Sequence, residues 1–367
     1  MKKINNSSGE RPVLITGGAG FIGTNLADRL LRRGQSVIIY DNLSRPGVQK
    51  NLRWLQSVHG DRVHAEIADV RDAHKLRAAV TRASAVFHFA AQVAVTSSLI
   101  DPRHDFEVNV MGTFNVLEAL RAQHDPKPLL FTSTNKVYGS LNPIALRQNA
   151  SRYEPIDANL RMNGVDESLS LDFHSPYGCS KGAADQYIVD YARTYGLPAV
   201  VFRMSCIYGP HQCGNEDQGW VAHFLIRAIE GQPITLYGDG MQVRDVLFVE
   251  DLVDAFLLAH ANVDRLTGQA FNIGGGPNNT TSLLELLKLI GDLNKDVPDV
   301  CFDEWRVGDQ QYYVSNTRKF REATGWSPRV SVRQGVKRLY EWLLQNREGR
   351  RAPAANKHLV VQKGELL

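Results

Sequence analysis

Short aliphatic, β-branched runs alternating with amphipathic stretches predict an α/β protein: a doubly wound parallel sheet with a smaller C-terminal α/β lobe. Three observations carry that expectation. Runs at 13–16, 37–40, 63–68, 85–89, 129–132 and 199–203 recur with helix-like segments between them, the pattern of a parallel sheet covered by helices. They are apolar nearly throughout instead of alternating, as strands buried on both faces are. After about residue 205 the rhythm loosens. Gly209-Pro210, Gly231-Gln232-Pro233, Gly238-Asp239-Gly240 and Gly274-Gly275-Gly276-Pro277 then punctuate shorter helical patterns such as 251–259 and 283–290, which predicts the second lobe. The expected division is a flexible start at 1–10, a first domain at 11–205, a lobe at 206–345 partly interleaved with it, and a solvated tail at 346–367.

A chain of 367 residues accommodates one large or two modest domains. With 43% hydrophobic and 22% charged residues it is an ordinary globular composition, and a net charge of +3 is too small to argue for a nucleic-acid or membrane-surface partner. Cys179, Cys206, Cys213 and Cys301 form no C-x-x-C pair, so neither a disulfide scaffold nor a zinc site is expected. The 11 histidines show no ligand spacing such as His-Glu-x-x-His, and no metal is expected. Met1-Lys2-Lys3 leads into polar residues, and no uncharged apolar run approaches the roughly 20 residues of a membrane span. A cytoplasmic protein is the expectation.

The first run enters Gly17-Gly18-Ala19-Gly20-Phe21-Ile22-Gly23 and then a helical pattern over 24–33 closed by Gly34. Strand, glycine turn and helix in that order predict a Rossmann-type dinucleotide loop. Gly17 allows the tight turn, Gly20 lets the backbone approach a pyrophosphate, Gly23 lets helix and strand pack, and the helix start offers free N–H groups. The second run ends at Asp41, where a carboxylate accepts hydrogen bonds from the adenosine ribose hydroxyls. Its charge opposes the extra phosphate of NADP, so NAD is expected, with Arg45 as a nearby cation that weakens the preference. Asp69-Val70 after the third run reads equally as an adenine contact or as a turn or helix cap.

Tyr177 and Lys181 stand four apart, on one face of a helix. A nearby cation lowers a tyrosine pKa from its usual value of about 10, making the phenol a usable base near neutral pH. Upstream, Phe131-Thr132-Ser133-Thr134 ends a strand in hydroxyl residues, and strand C-termini in such sheets face the ligand crevice. A hydroxyl there orients a substrate oxygen towards Tyr177 while Lys181 holds the nicotinamide ribose, an arrangement for general acid–base catalysis of hydride transfer. Residues 142–170 lack periodicity and read as a long surface loop. His88 lies in an apolar run and reads as packed. Gln212, after Gly209-Pro210, is a candidate ligand contact ahead of His211, and so is Gln218. Trp220 reads as core, and Trp305 as a nucleotide cover or interface filler. Apolar stripes at 109–122 and 181–195 are covered either by a second copy or within the chain.

Together these motifs resemble the extended short-chain dehydrogenase/reductase family, the NAD-dependent sugar-nucleotide epimerases and dehydratases, over nearly the whole chain. The likeness takes in the 17–23 loop, His88-Phe89-Ala90-Ala91-Gln92, Asn109, Thr134, Tyr177 with Lys181, Tyr208-Gly209-Pro210, Arg244-Asp245-Val246-Leu247-Phe248-Val249-Glu250-Asp251, Phe271-Asn272-Ile273-Gly274 and Arg306-Val307-Gly308-Asp309. It implies a catalytic set of Thr134, Tyr177 and Lys181. It also implies an NAD site within 11–205 made of Gly17, Gly20, Phe21, Ile22, Asp41, Asn42, Asp69, Val70, Ala90, Ala91, Gln92, Asn109, Tyr177 and Lys181. The lobe at 206–345 would then bind a nucleotide-diphosphate sugar through Arg244 and Arg306, with Asn135, Gln212 and Gln218 as further contacts. Arginine's fork suits phosphate oxygens on independent grounds. A homodimer built on the two striped helices is implied as well.

Two segments, Ser133-Thr134-Asn135-Lys136-Val137-Tyr138-Gly139 and Glu216-Asp217-Gln218-Gly219-Trp220-Val221, resemble members that invert C2 of a CDP-sugar. In many relatives the position of Cys206 is an asparagine on the substrate phosphate, so this chain holds the diphosphate differently. Asn135-Lys136 stand where dehydratases place an Asp-Glu pair, which disfavours water elimination. The implied reaction oxidises one sugar carbon, turns the keto-sugar in the site and re-reduces it on the opposite face. A 4-epimerase of a UDP-sugar and a non-catalytic NAD-sensing protein remain as alternatives, because fold does not fix function.

Overall fold

A computed structural model describes residues 11–141, 144–294, 298–306 and 308–348, with side chains to 346. The expectations for 1–10 and for nearly all of the tail lie outside the described residues. The first strands are β1 (Val13–Thr16), β2 (Val37–Asp41), β3 (Val63–Ile67), β4 (Val86–His88) and β5 (Leu129–Thr134). They are followed by β6 (Leu146–Asn149), β7 (Arg152–Pro155), β8 (Ala199–Met204) and β9 (Cys206–Tyr208). The rest are β10 (Ile234–Tyr237), β11 (Val243–Phe248), β12 (Gln269–Ile273), β13 (Thr280–Ser282), β14 (Val300–Asp303) and β15 (Tyr312–Tyr313).

Seven of these form one sheet in the order β12-β8-β5-β4-β1-β2-β3, every neighbouring pair parallel. Val13 and Ile15 pack on one face and Leu14 on the other, because successive strand side chains point to opposite sides. Both faces of the inner strands are therefore dry, which is why their runs are apolar throughout; the edge strand β3 departs from that expectation, with His64, Ala65 and Ile67 exposed. On one side the sheet meets Leu26, Leu30 and Phe256; on the other it meets Leu117, Leu120 and Ile188. The chain order reverses between β1 and β4, and ligands bind outside strand C-termini at such a switch point.

The second lobe holds β11 between β13 and β15, with β9 also paired to β11, and a separate β10–β14 pair. Its own core gathers Phe224, Leu225, Leu236, Phe248, Leu286 and Leu339. Residues 249–273 leave this lobe and return to the large sheet: Phe256 packs on Phe87, Phe89 and Phe202, and β12 pairs with β8. Among the described residues no helix is long and apolar enough to cross a membrane.

Two sequence expectations need correction here. Residues 142–170 are not a plain loop, since β6 and β7 form an antiparallel hairpin and Ala158–Asn163 is helical. The hairpin turns at Ala150, a non-glycine residue with φ of 36°, so the usual Asn-Gly or Asp-Gly signal is missing. The stripe at 109–122 is helical only from Gly112 in the α sense; Glu107–Met111 forms a π-type turn before it.

Candidate active site

A cleft of about 700 Å³ opens along the C-terminal ends of β1, β2, β4 and β5 and runs on under the second lobe. At its first end, Gly17 adopts φ of 67° to turn the chain out of β1. Gly20 caps the helix Phe21–Arg32 with no side-chain hydrogen bond, so that helix start keeps its N–H donors for an anion. A Cβ on Gly20 would meet only Gly17 O, at 3.0 Å, and would otherwise fill the cleft that Gly20 lines. Asp41 closes this cradle: its carboxylate accepts from Ala19 N (3.1 Å) and Leu43 N (2.9 Å), and burial pushes its pKa up. Glycine cradle, open helix start and acidic strand end fit a dinucleotide.

Asn42 donates to Asp69 (2.9 Å), whose carboxylate also binds Arg71 and is held well below the usual carboxylate range by it. Phe21, Ile22, Asp69, Val70, Ala90, Ala91 and Gln92 all line the cleft. Asn109 does not. It is buried, and its amide brackets the backbone of Gln92, accepting from Gln92 N (2.9 Å) and donating to Gln92 O (3.0 Å) and Ser180 Oγ (3.0 Å). Asn109, which the resemblance places at the cofactor, thus holds Gln92 of the 90–92 loop that lines the cleft. His88 is packed, as its setting suggested: it bonds Thr16 (2.6 Å) and Thr113 (3.0 Å), lies on Phe131, and burial drives its pKa down to about 3.

Mid-cleft, β5 delivers Thr134, and the helix Ser175–Tyr195 delivers Tyr177 and Lys181 on one face. Thr134 Oγ1 accepts from Lys136 N (3.2 Å). The Tyr177 phenol is pushed up to about 12 by burial, against a hydrogen bond with Thr134 and the charge of Arg45 that draw it down. Lys181 is brought down to about 7 by burial, opposed by Asp185 and Asp105, with Nζ 4.1 Å from the centre of the Phe131 ring. Both groups are buried, and desolvation penalises the charged form of each; the cation that draws the phenol down is Arg45.

Towards the second lobe the cleft is lined by Asn135, Gln212, Gln218, Arg244 and Arg306. Asn135 Nδ2 is committed to Gln310 (2.9 Å). Arg306 stacks on Tyr237 at 3.6 Å and bonds the Glu216 carbonyl (2.8 Å), with the Asp217 carboxylate 3.7 Å away. Gln212 Nε2 holds Ile207 O (3.2 Å) and leaves a buried Oε1 without a partner. Trp220 is half-buried, packing on the second lobe's core beside Phe224 while also forming part of the cleft wall, and its Nε1 donates to Cys206 Sγ (3.3 Å). His211 lies outside the lining, between Trp54 and Trp342. Sequence reasoning missed Gln242 and Tyr237 as lining residues; Gln242 sits two before Arg244, on the same face by the strand period. Arg45, read from the sequence only as a cation that weakens the preference for NAD, exerts its charge on both Asp41 and Tyr177. Among the described residues no cluster of His, Cys, Asp and Glu is fit to hold a metal ion.

A doubly wound sheet, a dinucleotide cradle at its switch point and a Thr-Tyr-Lys cluster facing a second lobe define an enzyme that works through a nicotinamide dinucleotide. Comparison with known proteins narrows this. The chain belongs to the NAD dependent epimerase/dehydratase family, whose model matches residues 13–274, and NAD is its cofactor. It is 46% identical over 339 residues to CDP-paratose 2-epimerase of Salmonella typhi, spanning 90% of this chain and 98% of that one. UDP-glucose 4-epimerase of Mycolicibacterium smegmatis is 33% identical over 331 residues, 90% of this chain and 97% of that one. Among solved structures, Thermus thermophilus UDP-glucose 4-epimerase in complex with NAD superposes with a TM-score of 0.76 at 32% identity, covering 91% of this chain and 99% of that one.

Proposed function

We propose that this protein inverts C2 of a CDP-activated sugar, interconverting CDP-paratose and CDP-tyvelose, with the seven-stranded unit holding NAD and the second lobe the nucleotide sugar. The observation that carries the reading is the similarity to the Salmonella typhi 2-epimerase across nearly all of both chains, on a site where Asn135 and Lys136, not carboxyl groups, follow Thr134. Without a carboxyl pair there is no acid–base couple for eliminating water.

Gly17, Gly20, Asp41, Asp69, Val70 and the 90–92 loop hold the dinucleotide, and Lys181 its nicotinamide ribose. NAD supplies reversible hydride acceptance. Thr134 orients the sugar hydroxyl, and Tyr177 takes its proton as C2 becomes a ketone. The keto-sugar turns while its diphosphate stays anchored in the second lobe. Tyr177 then returns the proton to the oxygen as C2 is reduced from the other face, so one stereocentre inverts and neither cofactor nor proton is consumed. The cytoplasm suits the chain's free cysteines. A homodimer would cover Met111, Tyr187 and Tyr195, exposed on the 107–121 and 175–195 helical segments.

Proton NMR of the purified protein with CDP-paratose and no added cofactor should show CDP-tyvelose, with no NADH absorbance building up. Inversion of a UDP-sugar at C4, with CDP-paratose left unchanged, would replace this reading with that of a 4-epimerase.

A further inference from the structure

The end of the catalytic strand carries a lysine that the reaction as described leaves without a task. Lys136 stands two residues past Thr134, and its side chain crosses the cleft so that Nζ donates to Gly308 O (2.9 Å) on the facing loop. Among the described residues that carbonyl is its sole hydrogen-bond partner, whereas an ammonium has three donors. Arg244 from β11, Cys206 from β9 and Asp309 from the facing loop line the same cleft, and the charges of Arg244 and Asp309 act on Lys136. The cleft thus carries two cations, Lys136 and Arg244, with Asp309 as the carboxylate whose charge acts on Lys136, so positive charge is available there to a phosphate. Cys206 is engaged by Trp220 (3.3 Å) and offers no amide. Arg306 is occupied on Tyr237 and the 216–217 turn.

Resting on the C2 reading above, we propose that Lys136, with Arg244, holds the β-phosphate of the nucleotide sugar and thereby sets C2, not C4, against Tyr177. The ring chemistry supports this. C1 carries the phosphate oxygen and C2 is bonded to C1, so bringing C2 to Thr134 and Tyr177 brings the β-phosphate to the strand end that bears Thr134. C4 lies across the ring from C1, and a 4-epimerase must keep the phosphate a ring's width farther off. A cation rooted two residues from Thr134 is placed for the first geometry. Burial and the charge of Arg244 draw the Lys136 pKa down to about 8, and a bound phosphate restores its charge by opposite-charge attraction.

The test is calorimetric titration of the NAD-loaded protein with CDP and, separately, with CMP, which lacks the β-phosphate. Lys136→Met should weaken CDP binding by about tenfold to a hundredfold, the worth of charge-assisted hydrogen bonds. CMP binding and NAD content should stay within about twofold, and Lys136→Arg should recover most of the CDP affinity, since the charge is what matters. Equal CDP affinity in wild type and Lys136→Met overturns the role of Lys136 while leaving the C2 reading intact. Equal weakening of CDP and CMP overturns it too, since that is the mark of a tether between lobes. A wild type that binds neither nucleotide overturns the CDP-sugar reading itself, and this assignment with it.

Discussion

At Tyr177 two effects compete, and their sizes decide the chemistry. Burial pushes the phenol up to about 12 and takes Lys181 down to about 7, while a hydrogen bond with Thr134 and the charge of Arg45 draw the phenol back down; the positive charge of an oxidised nicotinamide would act in that same downward direction. Tyr177→Phe should therefore lower turnover by roughly two to four orders of magnitude, the usual worth of a positioned acid–base group, with bound NAD unchanged by extraction and absorbance. Turnover surviving that change would refute the mechanism. His88 makes a second prediction. Its folded pKa of about 3 lies below the usual 6.5, so the unfolded chain binds the extra proton between those values and stability falls as pH drops through that window. One such proton is worth about 1.4 kcal/mol per pH unit. Urea midpoints of His88→Gln should accordingly fall less steeply than wild type between pH 6 and pH 4, whatever their absolute level. The Tyr177–Lys181 spacing was legible because helix geometry alone makes them neighbours. The grip of Asn109 on Gln92 was not legible, because a buried amide that holds a loop and one that holds a ligand look alike in a sequence.

The elements that position the site were legible in proportion to how local their causes are. β1, β2, β4, β5 and β8 announce themselves through dry, largely aliphatic runs, and the more exposed β3 through its place in the rhythm; the hairpin of β6 and β7 does not, because tertiary contacts hold it in place. Arg152 reaches Glu285 through Nε (2.7 Å) and Thr280 (3.2 Å), both in the second lobe. The helix Ser175–Tyr195 is tied to β8 in a similar way: Asp185 and Arg203 form a bidentate pair at 2.9 Å, with side chains 0% and 7% exposed, and Arg203 also meets Tyr138 (3.2 Å). No sequence pattern shows that pair, since 185 and 203 belong to different elements. Replacing one partner leaves a buried charge uncompensated, so Asp185→Asn should cost about 3–5 kcal/mol, read from urea denaturation of the NAD-loaded protein. A loss below about 1 kcal/mol would mean that water reaches Arg203.

Over the whole molecule, the end of the cleft at the 17–23 loop was far more legible than the end under the second lobe. The 17–23 loop, Asp41 and the Tyr177–Lys181 pair sit in continuous motifs, whereas the far end of the cleft is assembled from β9, β11, the 212–220 segment, Arg306 and Asp309, none of which encodes the others. Arg306 shows what that assembly adds. Its guanidinium lies flat on Tyr237, bonds the Glu216 carbonyl, and has the Glu216 and Asp217 carboxylates at 4.0 and 3.7 Å, while Tyr237 donates to Glu216 (2.6 Å). The two loops are thus latched across the cleft by an arginine that is also the outermost candidate for a nucleotide phosphate. If the diphosphate takes Arg306, it must displace both acids, which are 48% and 43% exposed and so hold the arginine with no more than about 1 kcal/mol. Glu216→Gln with Asp217→Asn should then tighten CDP binding by roughly twofold to fivefold at low salt, and the gain should shrink as salt screens the exposed charges. Weaker CDP binding in that double variant would reverse the argument: the acids would be there to hold the loop in its bound position, and the latch would belong to the closed site instead of competing with it.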